Sequence, residues 1–509
     1  MHPLNSLARL ASRHCYWSIA VVLIALLGCQ PAAPTAVDPA LVIENSKQGV
    51  REAEAVIAAV KETDSATKIA AKSDPLKDVV PPGPVVPYFN PLTVEETAEG
   101  WISLFDGHSL FGWESNDKGV NWSVADGSIT ADAGPKGLLL TYTPFADYQF
   151  RCDFQMAPEG NSGVFLRSTA TPKDVQKDCY EINIVDEHPA GFLTGAIVGL
   201  QKTAQPIKGS GGWHTFLLTA NGTKITVALD GKEVAAYDDT RPEARRTGFI
   251  GLQKNEGKIE FKNIALKPLN QKPLFNGKDL AGWRVVPGSK GEFTFEEGTI
   301  HVKGGEGFLE SETQHKDFVL QAQAKTNPHL YGLSYETILD EAKKKGVLPD
   351  HSILKGTNTG IFLRAETGTE KAKSNGYEVQ IENGFGEGPD IPDNFPFPNE
   401  SATDECLRDV MIRFRGPPTN AGTGAIFRRV NARRVVSTDA RWCTMTLIAS
   451  GPRISTFVDG YAVVHWEDTR KPDPNPRKGQ RLDAGHFSLQ GHDPTTDASF
   501  RAFTVSDQP

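Results

Sequence analysis

The stretch NSGVFLR at residues 161–167 returns later in the chain as NTGIFLR at residues 358–364. If each stretch is a β-strand, its successive side chains point to opposite faces of a sheet. Val164 and Leu166, with their counterparts in the second stretch, would then share an apolar face. A strand that recurs almost unchanged indicates two copies of one domain.

Further blocks recur in the same order around this pair. In the first copy they are LFDG at 104–107, GW at 112–113, YE at 180–181, TGAI at 194–197, DG at 230–231, DTR at 239–241 and LQ at 252–253. In the second copy they are LFNG at 274–277, GW at 282–283, YE at 377–378, TGAI at 423–426, DG at 459–460, DTR at 468–470 and LQ at 489–490. The unbroken order indicates that both copies have the same fold.

The distance between matching blocks grows along the chain, so the second copy carries insertions, which loops tolerate best. One insertion, at 334–346, predicts a short helix, and another, at 384–398, is rich in Gly, Pro and Asn and predicts a long loop. The Asp-Gly pairs between alternating runs predict hairpin turns. We therefore expect an all-β chain with two tandem domains, each a sandwich or a barrel, at 100–269 and 270–509. Four tryptophans are expected to anchor the cores: Trp113, Trp213, Trp283 and Trp442.

The overall composition is that of a globular, mildly acidic protein. The 509 residues include 54 Lys and Arg against 63 Asp and Glu, a formal charge of −9, and 39% are hydrophobic. No basic stripe accompanies this balance, so nucleic acid is not expected as a partner, whereas a neutral ligand such as a sugar is compatible with it.

The N-terminus has the pattern of an export signal. Arg9 and Arg13 precede an apolar run at 16–27, which is short for a membrane span and has the length of a signal-peptide core. The run ends in Leu-Leu-Gly-Cys at 26–29, which resembles a bacterial lipobox, the motif whose cysteine is lipidated. We therefore expect a signal peptide at 1–28 and a lipid anchor on Cys29.

The residue after that cysteine is Gln30 rather than Asp, and the resemblance then implies a cell-envelope lipoprotein at the outer membrane, facing the periplasm. Residues 29–99 are rich in Pro and Ala and predict a linker, with a helix at 45–72. Export permits disulfides. Four further cysteines leave open either a bridge within each copy or buried thiols: Cys152, Cys179, Cys406 and Cys443.

A second set of side chains occupies the opposite face of the repeated strands. They are Asn161, Phe165, Arg167, Glu181 and Asn183 in the first copy, and Asn358, Phe362, Arg364, Glu378 and Gln380 in the second. An aromatic ring, a carboxylate, amides and a guanidinium on one face predict a sugar site, where the ring stacks on the sugar and the polar groups bind its hydroxyls. An Arg–Glu ion pair between neighbouring strands explains the same residues structurally, and the sequence leaves both explanations open.

Two residues distinguish the copies. Asp186 ends the YE strand of the first copy, where the second has Asn383. His492 follows the second LQ block and has no counterpart in the first copy. An imidazole at a strand end can act as a base or an acid near neutral pH. Asp186 is therefore a candidate for substrate binding in the first copy, and His492 for catalysis in the second.

The ordered set LFNG…GW, N-S/T-G-I-F-L-R, G-Y-E-x-Q-I, TGAI, Trp, DG and LQ-x-H resembles the 3-keto-disaccharide hydrolase domain family, over nearly all of residues 100–507 and twice. The resemblance implies a concanavalin A-like β-sandwich (jelly-roll) and cleavage of glycosides already oxidised at sugar C3. The ketone acidifies the C2 proton, so a base can remove it and expel the C1 substituent before water adds back.

This chemistry needs a base near C2 and a donor or a metal near the C3 oxygen. The resemblance implies Glu378 or His492 as the base, with Arg364 and Gln380 orienting the sugar. A divalent metal stays open, and no other cofactor is expected. Neither copy keeps the whole family pattern, so a non-catalytic carbohydrate-binding lipoprotein is the alternative function.

Overall fold

A computed structural model describes residues 91–327, 357–367, 374–383, 421–476 and 478–509. The helix in this part of the chain is α1, Val94–Ala98, which begins at a capping box formed by Thr93 and Glu96. No helix within the described ranges has the length and apolar character needed to cross a membrane. The signal peptide, Cys29, the linker helix, Cys406 and both inserted segments of the second copy lie outside these ranges.

The first domain is a sandwich of two antiparallel sheets. Its large sheet runs in the order β11-β10-β9-β6-β13-β4-β3, with β1 also paired to β13: β1 Ile102–Ser103, β3 Ser123–Ala125, β4 Ser128–Ala131, β6 Tyr148–Met156, β9 His214–Asn221, β10 Lys224–Leu229, β11 Lys232–Asp238, β13 Ile259–Pro268. Its small sheet runs in the order β2-β5-β12-β7-β8: β2 Trp113–Ser115, β5 Gly137–Thr141, β7 Asn161–Ser168, β8 Tyr180–Val185, β12 Phe249–Lys254.

The second domain repeats this arrangement. Its large sheet runs in the order β16-β17-β26-β19-β22-β23-β24, with β14 also paired to β26: β14 Lys272–Pro273, β16 Glu292–Glu296, β17 Thr299–Lys303, β19 Phe318–Thr326, β22 Cys443–Ser450, β23 Arg453–Val458, β24 Tyr461–Glu467, β26 Asp497–Asp507. Its small sheet runs in the order β15-β18-β25-β20-β21: β15 Trp283–Val285, β18 Gly307–Ser311, β20 Thr359–Thr367, β21 Ser374–Ile381, β25 His486–Gly491.

Each strand of the first domain therefore has a counterpart thirteen strands later, at the matching position in the corresponding sheet of the second domain. This confirms the prediction of two tandem all-β sandwiches. The alternation that predicted the strands also builds the cores. Residues of β6, for example, alternate between buried and half-buried along its whole length, and Phe150 and Phe154 pack against Val164 and Ile182 of the small sheet. The core of each domain lies between its two sheets.

The two domains belong to one compact unit, residues Pro75–Pro509. Ile448 and Phe457 of the second domain join the core cluster of the first. Arg433 Nη1 donates to Asp106 Oδ2 at 2.8 Å, and both side chains are at most 5% exposed. The guanidinium also lies 4.1 Å from the ring centroid of Phe111. A buried, paired charge thus joins the domains.

Some expectations about single residues were wrong. Trp113 and Trp283 are core residues, whereas Trp213 is 38% exposed, with Lys262 Nζ 3.8 Å from its ring centroid. Trp442 is only half-buried, and Arg501 lies over its ring. Both rings lie at the start of a strand. There a Lys or Arg side chain covers one face of the ring, and the ring does not pack into the core. Cys152, Cys179 and Cys443 are free buried thiols, so the Cys152–Cys179 bridge is not formed.

Candidate functional site

The candidate site lies on the outer face of each small sheet, the face turned away from the large sheet. In the first domain two rows of side chains cross this face, Leu140–Gly251–Phe165–Glu181 and Leu138–Gln253–Gly163–Asn183. In the second domain the matching rows are Glu310–Ser488–Phe362–Glu378 and Phe308–Gln490–Gly360–Gln380. Directly opposed residues point to the same side of a sheet, so each row brings side chains from four strands together.

A glycine leaves room beside the glutamate in both domains. A Cβ on Gly163 would lie 3.4 Å from Glu181 Cγ, and a Cβ on Gly360 would lie 3.4 Å from Glu378 Cγ. The same Cβ would be only 3.0 Å or 2.9 Å from the carbonyl oxygen of the neighbouring strand. The repeated glycine therefore keeps open a space that any side chain would fill.

In the first domain the glutamate is held by its neighbours. Glu181 is 7% exposed, and Gln253 Nε2 donates to its Oε1 at 3.2 Å. Burial raises the pKa of Glu181, against the opposing effects of the Lys136 charge and of the Gln253 hydrogen bond. Asn183 Nδ2 donates to the Phe192 carbonyl at 2.6 Å, so part of this amide stabilises a local loop.

In the second domain the glutamate borders a pocket. Glu378 is 6% exposed and borders a small pocket of ≈ 50 Å³ that opens to solvent. Its other walls include Tyr377, Phe427, Arg429 and Pro476. Phe427 directly follows the TGAI block, and its N donates to the Glu378 carbonyl at 2.9 Å. This segment therefore forms the wall of the pocket next to β21. A buried carboxylate in a pocket with an aromatic ring and a cation suits a polar ligand.

Amide groups complete the outer face of the second domain. Gln380 Nε2 donates to Asn358 Oδ1 at 2.9 Å and to Glu382 Oε2 at 3.2 Å. The Oε1 atoms of Gln380 and Gln490 are buried without a hydrogen-bond partner among the described residues, as is that of Gln253 in the first domain. Buried acceptors are normally paired, so these three oxygens point to missing donors such as hydroxyl groups.

The two arginines do not belong to this face. Arg167 and Arg364 are at most 1% exposed, and each follows a β-bulge with φ +48°. Arg167 donates to the Ala146, Gly222 and Arg245 carbonyls and to Asp147, and Arg364 to the Lys316, Gly451 and Arg481 carbonyls and to Asp317. Simple alternation placed them on the outer face, but the bulge reverses the direction of the side chain. The prediction that these arginines bind a sugar is therefore wrong, and so is the alternative that they form ion pairs with Glu181 and Glu378.

The two phenylalanines are on the outer face but are covered. Phe165 is 3% exposed and packs against Leu138, Leu140 and Cys179. Phe362 is fully buried, and its ring centroid lies 5.0 Å from that of Phe308 in an edge-to-face arrangement. Neither ring presents a face on which a sugar can stack, which corrects that expectation. Asn161 and Asn358 lie at the start of their strands and are half-buried.

The Asp186 position shows an exchange between the domains. Asp186 accepts from Gly209 N at 2.6 Å and from the hydroxyl of Ser210. In the second domain Asn383 stands at this position, and Asp439 takes the place of Ser210. Asn383 Nδ2 donates to Asp439 Oδ1 at 3.2 Å. The carboxylate thus belongs to the strand residue in the first domain and to the loop residue in the second. In both domains the pair connects the end of a small-sheet strand to a loop and does not face the open site.

His492 directly follows β25, at the position that continues Ser488 and Gln490 along the outer face. It is exposed, and its Nδ1 lies 3.0 Å from Asp493 Oδ2. Between His492 and Glu378 lie two strand spacings across the sheet and four residues along a strand. Their Cα atoms are therefore about 16 Å apart. His492 and Glu378 thus share a face, whereas Arg364 does not, and the three residues do not converge.

The same face carries a polar cluster whose residues belong to none of the repeated motifs. The side chain of Glu310 is fully buried, 3.5 Å from Arg284 Nη2 and 4.0 Å from His486 Nε2. His486 Nδ1 lies 2.7 Å from the Ser311 carbonyl oxygen, which only accepts, so Nδ1 carries a proton. In the sequence, this cluster differs from the first copy in having Glu310 where that copy has Leu140 and His486 where it has Phe249.

The described residues contain no group of three or more His, Cys, Asp or Glu side chains arranged to hold a metal ion.

Comparisons with known proteins place the chain in a family. The profile of the 3-keto-alpha-glucoside-1,2-lyase-like domain matches residues 100–267 and again residues 270–506. A 3-keto-disaccharide hydrolase of Bacteroides thetaiotaomicron is 22% identical over 234 residues, which cover 34% of this chain and 80% of that protein.

Solved structures with a similar chain path include a candidate glycosyl hydrolase from Parabacteroides distasonis, with 22% identity, a TM-score of 0.32 and coverage of 35% of this chain and 98% of that one. A carbohydrate-binding module from Bacillus subtilis has 16% identity and a TM-score of 0.25, and covers 31% of this chain and 95% of its own. Because the family profile matches most of the chain, in two successive stretches, the chain belongs to the 3-keto-alpha-glucoside-1,2-lyase-like domain family.

Proposed function

We propose that the protein is a hydrolase of 3-keto-glycosides and that its second domain carries the reaction. The observation that carries this proposal is the position of Glu378, a buried carboxylate at the wall of a solvent-open pocket, in a chain that matches the 3-keto-alpha-glucoside-1,2-lyase-like family twice. The relative from Bacteroides thetaiotaomicron, named a 3-keto-disaccharide hydrolase, supports the same substrate class.

The reaction begins with removal of the proton at C2, which the neighbouring C3 ketone acidifies. The electron pair forms the C1=C2 double bond while the C1–O bond breaks, and the leaving oxygen takes up a proton to give the free alcohol. Water then adds its hydroxyl to C1 and a proton to C2. The products are the 3-keto sugar and the alcohol, without the pair of carboxylates that ordinary glycosidases need.

Glu378 is the proposed base, because a positioned carboxylate can remove a proton from a carbon that a neighbouring ketone acidifies. Gln380 and Gln490 are proposed to bind the sugar, since each presents a buried amide on the face that carries Glu378. Hydrogen bonds aimed at the C3 oxygen would stabilise the enolate that forms when C2 is deprotonated. The exposed His492, farther along the face, is better placed to contact a substituent of the sugar than its C2 atom.

The first domain is proposed to bind carbohydrate rather than to cleave it. Lys136 lies near its Glu181 and stands where the second domain has Glu306. The Lys136 charge opposes the rise in pKa that burial gives Glu181. This is the specific observation that favours the alternative function, binding without turnover, for this half of the chain.

Turnover of oxidised disaccharides tests the proposal. The purified protein is incubated with 3-keto-trehalose and 3-keto-lactose, and free glucose is measured for both. The expected result is release of one free monosaccharide per molecule cleaved, with deuterium from D₂O found at C2 of the 3-keto product. Cleavage of the unoxidised disaccharides at the same rate would contradict the mechanism, because their C2 proton is not acidic.

The envelope location is also a proposal. The lipobox-like sequence at 26–29 supports acylation of Cys29 and attachment to a membrane by that lipid. Cys29→Ala should move the protein from the membrane pellet to the soluble periplasmic fraction of the producing cell. Sedimentation with membranes after this substitution would contradict the proposal, and Cys15→Ala serves as the control that should leave the anchor unchanged.

A further inference from the structure

A second cavity lies between the two domains. It encloses ≈ 990 Å³ of space open to solvent and is lined by Tyr142 of the first domain and by Arg429, His465, Trp466, Thr469 and Arg470, among others, of the second. We call it the interdomain cleft. Of this space, ≈ 520 Å³ can be occupied by a water-sized molecule, which falls within the range of ligand-binding clefts, roughly 300–1,000 Å³.

The interdomain cleft adjoins the Glu378 pocket. Arg429 lines both spaces. Tyr377, a wall of the Glu378 pocket, packs edge-on against Trp466 of the cleft, with ring centroids 6.0 Å apart. Arg470 of the cleft donates at 2.9 Å to the carbonyl of Pro476, which lines the Glu378 pocket. A ligand longer than one sugar unit would therefore pass from one space into the other.

The lining of the cleft is held in place. Arg453 donates to the Tyr142 carbonyl at 2.7 Å, and its guanidinium lies 4.7 Å from the Tyr142 ring centroid. The His465 and Tyr142 ring centroids are 5.3 Å apart, and Ser455 Oγ lies 2.7 Å from His465 Nδ1. Arg470 binds Asp468 through two hydrogen bonds of 2.8 Å. Such preorganised side chains bind a ligand without a large ordering cost.

The chemistry of this lining fits a carbohydrate. Tyr142 and His465 supply aromatic surface, while Arg429, Thr469 and Arg470 supply groups that hydrogen-bond to hydroxyls. Burial, together with the Arg433 charge, lowers the pKa of His465 to about 3, so its ring is neutral at physiological pH. Rings combined with a few polar groups are the usual composition of small-molecule sites.

We propose that the interdomain cleft is a binding subsite for the sugar units that follow the one held beside Glu378, so that the protein prefers oligosaccharides to disaccharides. This rests on the proposed function for the identity of the ligand. It also assigns a role to the first domain, because Tyr142 forms a wall of the cleft.

The test compares ligands of two lengths. Maltose and maltotetraose, each oxidised to the ketone at C3 of the non-reducing unit, are titrated by calorimetry into the full chain carrying Glu378→Gln, which should not turn them over. The tetrasaccharide is expected to bind about tenfold more tightly, the gain from one or two aromatic contacts. Turnover of the same ligands is measured separately with the unsubstituted protein.

Two further variants locate the gain. Thr469→Trp fills the cleft from an exposed position, and Tyr142→Leu removes the aromatic wall of the first domain. Both should weaken binding of the tetrasaccharide more than binding of the disaccharide, of which only the second unit reaches the cleft, and so abolish the preference for the longer ligand. Thr240→Trp is the matched control, because Thr240 occupies the same exposed position in the DTR block of the first domain, and it should alter neither affinity.

The outcomes separate the two proposals. Equal affinity for both ligands, or an equal loss for both in Thr469→Trp, would overturn the subsite. A length preference without cleavage of either ligand would keep the subsite and overturn the proposed hydrolase activity. Absence of binding for both ligands would overturn the two proposals together.

Discussion

The outer faces of the two small sheets share their strand order but differ in chemistry. Where the first domain has Leu140 and Phe249, the second has Glu310 and His486, which lie 4.0 Å apart in a buried cluster. Both pairs occupy matching positions of β5 and β12 or of β18 and β25. The same sandwich therefore accepts an apolar or a polar pair on this face. The comparison teaches that the inner faces determine the fold, whereas the outer faces are free to carry different sites.

The largest expected difference between the domains is in turnover. Glu378→Gln removes the proposed base and should lower kcat by about a hundred- to ten-thousand-fold, the usual contribution of a positioned base. Glu181→Gln, the matched substitution in the first domain, should leave kcat nearly unchanged. Steady-state rates on 3-keto-trehalose would measure both.

The reverse pattern, with Glu181 essential and Glu378 dispensable, would place the reaction in the first domain. The melting temperature of each variant serves as a control for folding, because both substitutions preserve the shape of the side chain.

The next largest effect concerns the contact between the domains. Asp106 accepts from the backbone N–H groups of His108 and Ser109 as well as from Arg433, while its counterpart Asn276 accepts equivalent bonds from Lys278 and Asp279. Asp106→Asn should therefore keep the turn and remove only the charge. Because a buried arginine is left unpaired, the free energy of unfolding should fall by about 3 kcal/mol.

Chemical denaturation would measure this loss. Asn276→Asp, the reverse change in the second domain, should cost less stability, because that turn is exposed, although it replaces the hydrogen bond from Asn276 Nδ2 to Asp279 Oδ1 (2.6 Å) by a repulsion between two carboxylates. Burial acts to raise the pKa of Asp106, but hydrogen bonds from Ser109 and His108 and the Arg433 charge hold it below its usual value. The bridge should therefore weaken only in strongly acidic solution.

The smallest expected effect is a difference in pH dependence between Asp439 and Asp186. Burial raises the pKa of Asp439 from 3.8 to about 6, although Thr326 and Asn383 hydrogen-bond to it. The folded state then binds the proton more tightly than the unfolded chain, so stability is greatest below about pH 4 and decreases as pH rises towards 6. Asp439→Asn should remove this slope and raise the free energy of unfolding at pH 7 by at most about 3 kcal/mol.

Asp186→Asn should have the opposite sign. Although burial acts to raise the pKa of Asp186, hydrogen bonds from Ser210 and Gly209 lower it, so its ionised form stabilises the fold above the unfolded pKa. The substitution should destabilise the protein at pH 7 and lose its effect in acid. Denaturation at pH 4 and pH 7 tests the pair, and the same sign for both variants would contradict the exchange of carboxylates.

The sequence by itself determined the tandem sandwich, because blocks repeated in one order and Asp-Gly turns between alternating runs are local signals. Alternation also identified the face that carries Glu181, Asn183, Glu378 and Gln380. It failed at Arg167 and Arg364. The neighbouring strand approaches so closely there that a Cβ on Gly248 or Gly485 would lie 2.3 Å from the arginine carbonyl carbon, and the resulting bulge turns the guanidinium inward.

Only the tertiary structure decided which residues from distant parts of the chain meet. The ion pair between Asp106 and Arg433 joins residues 327 positions apart, and the interdomain cleft brings Tyr142 to Arg470. The exchange of a carboxylate between Asp186 and Asp439 likewise became visible only when the two loops were found beside their strands. Such contacts depend on how sheets pack on one another, and periodicity along a single strand carries no information about that packing.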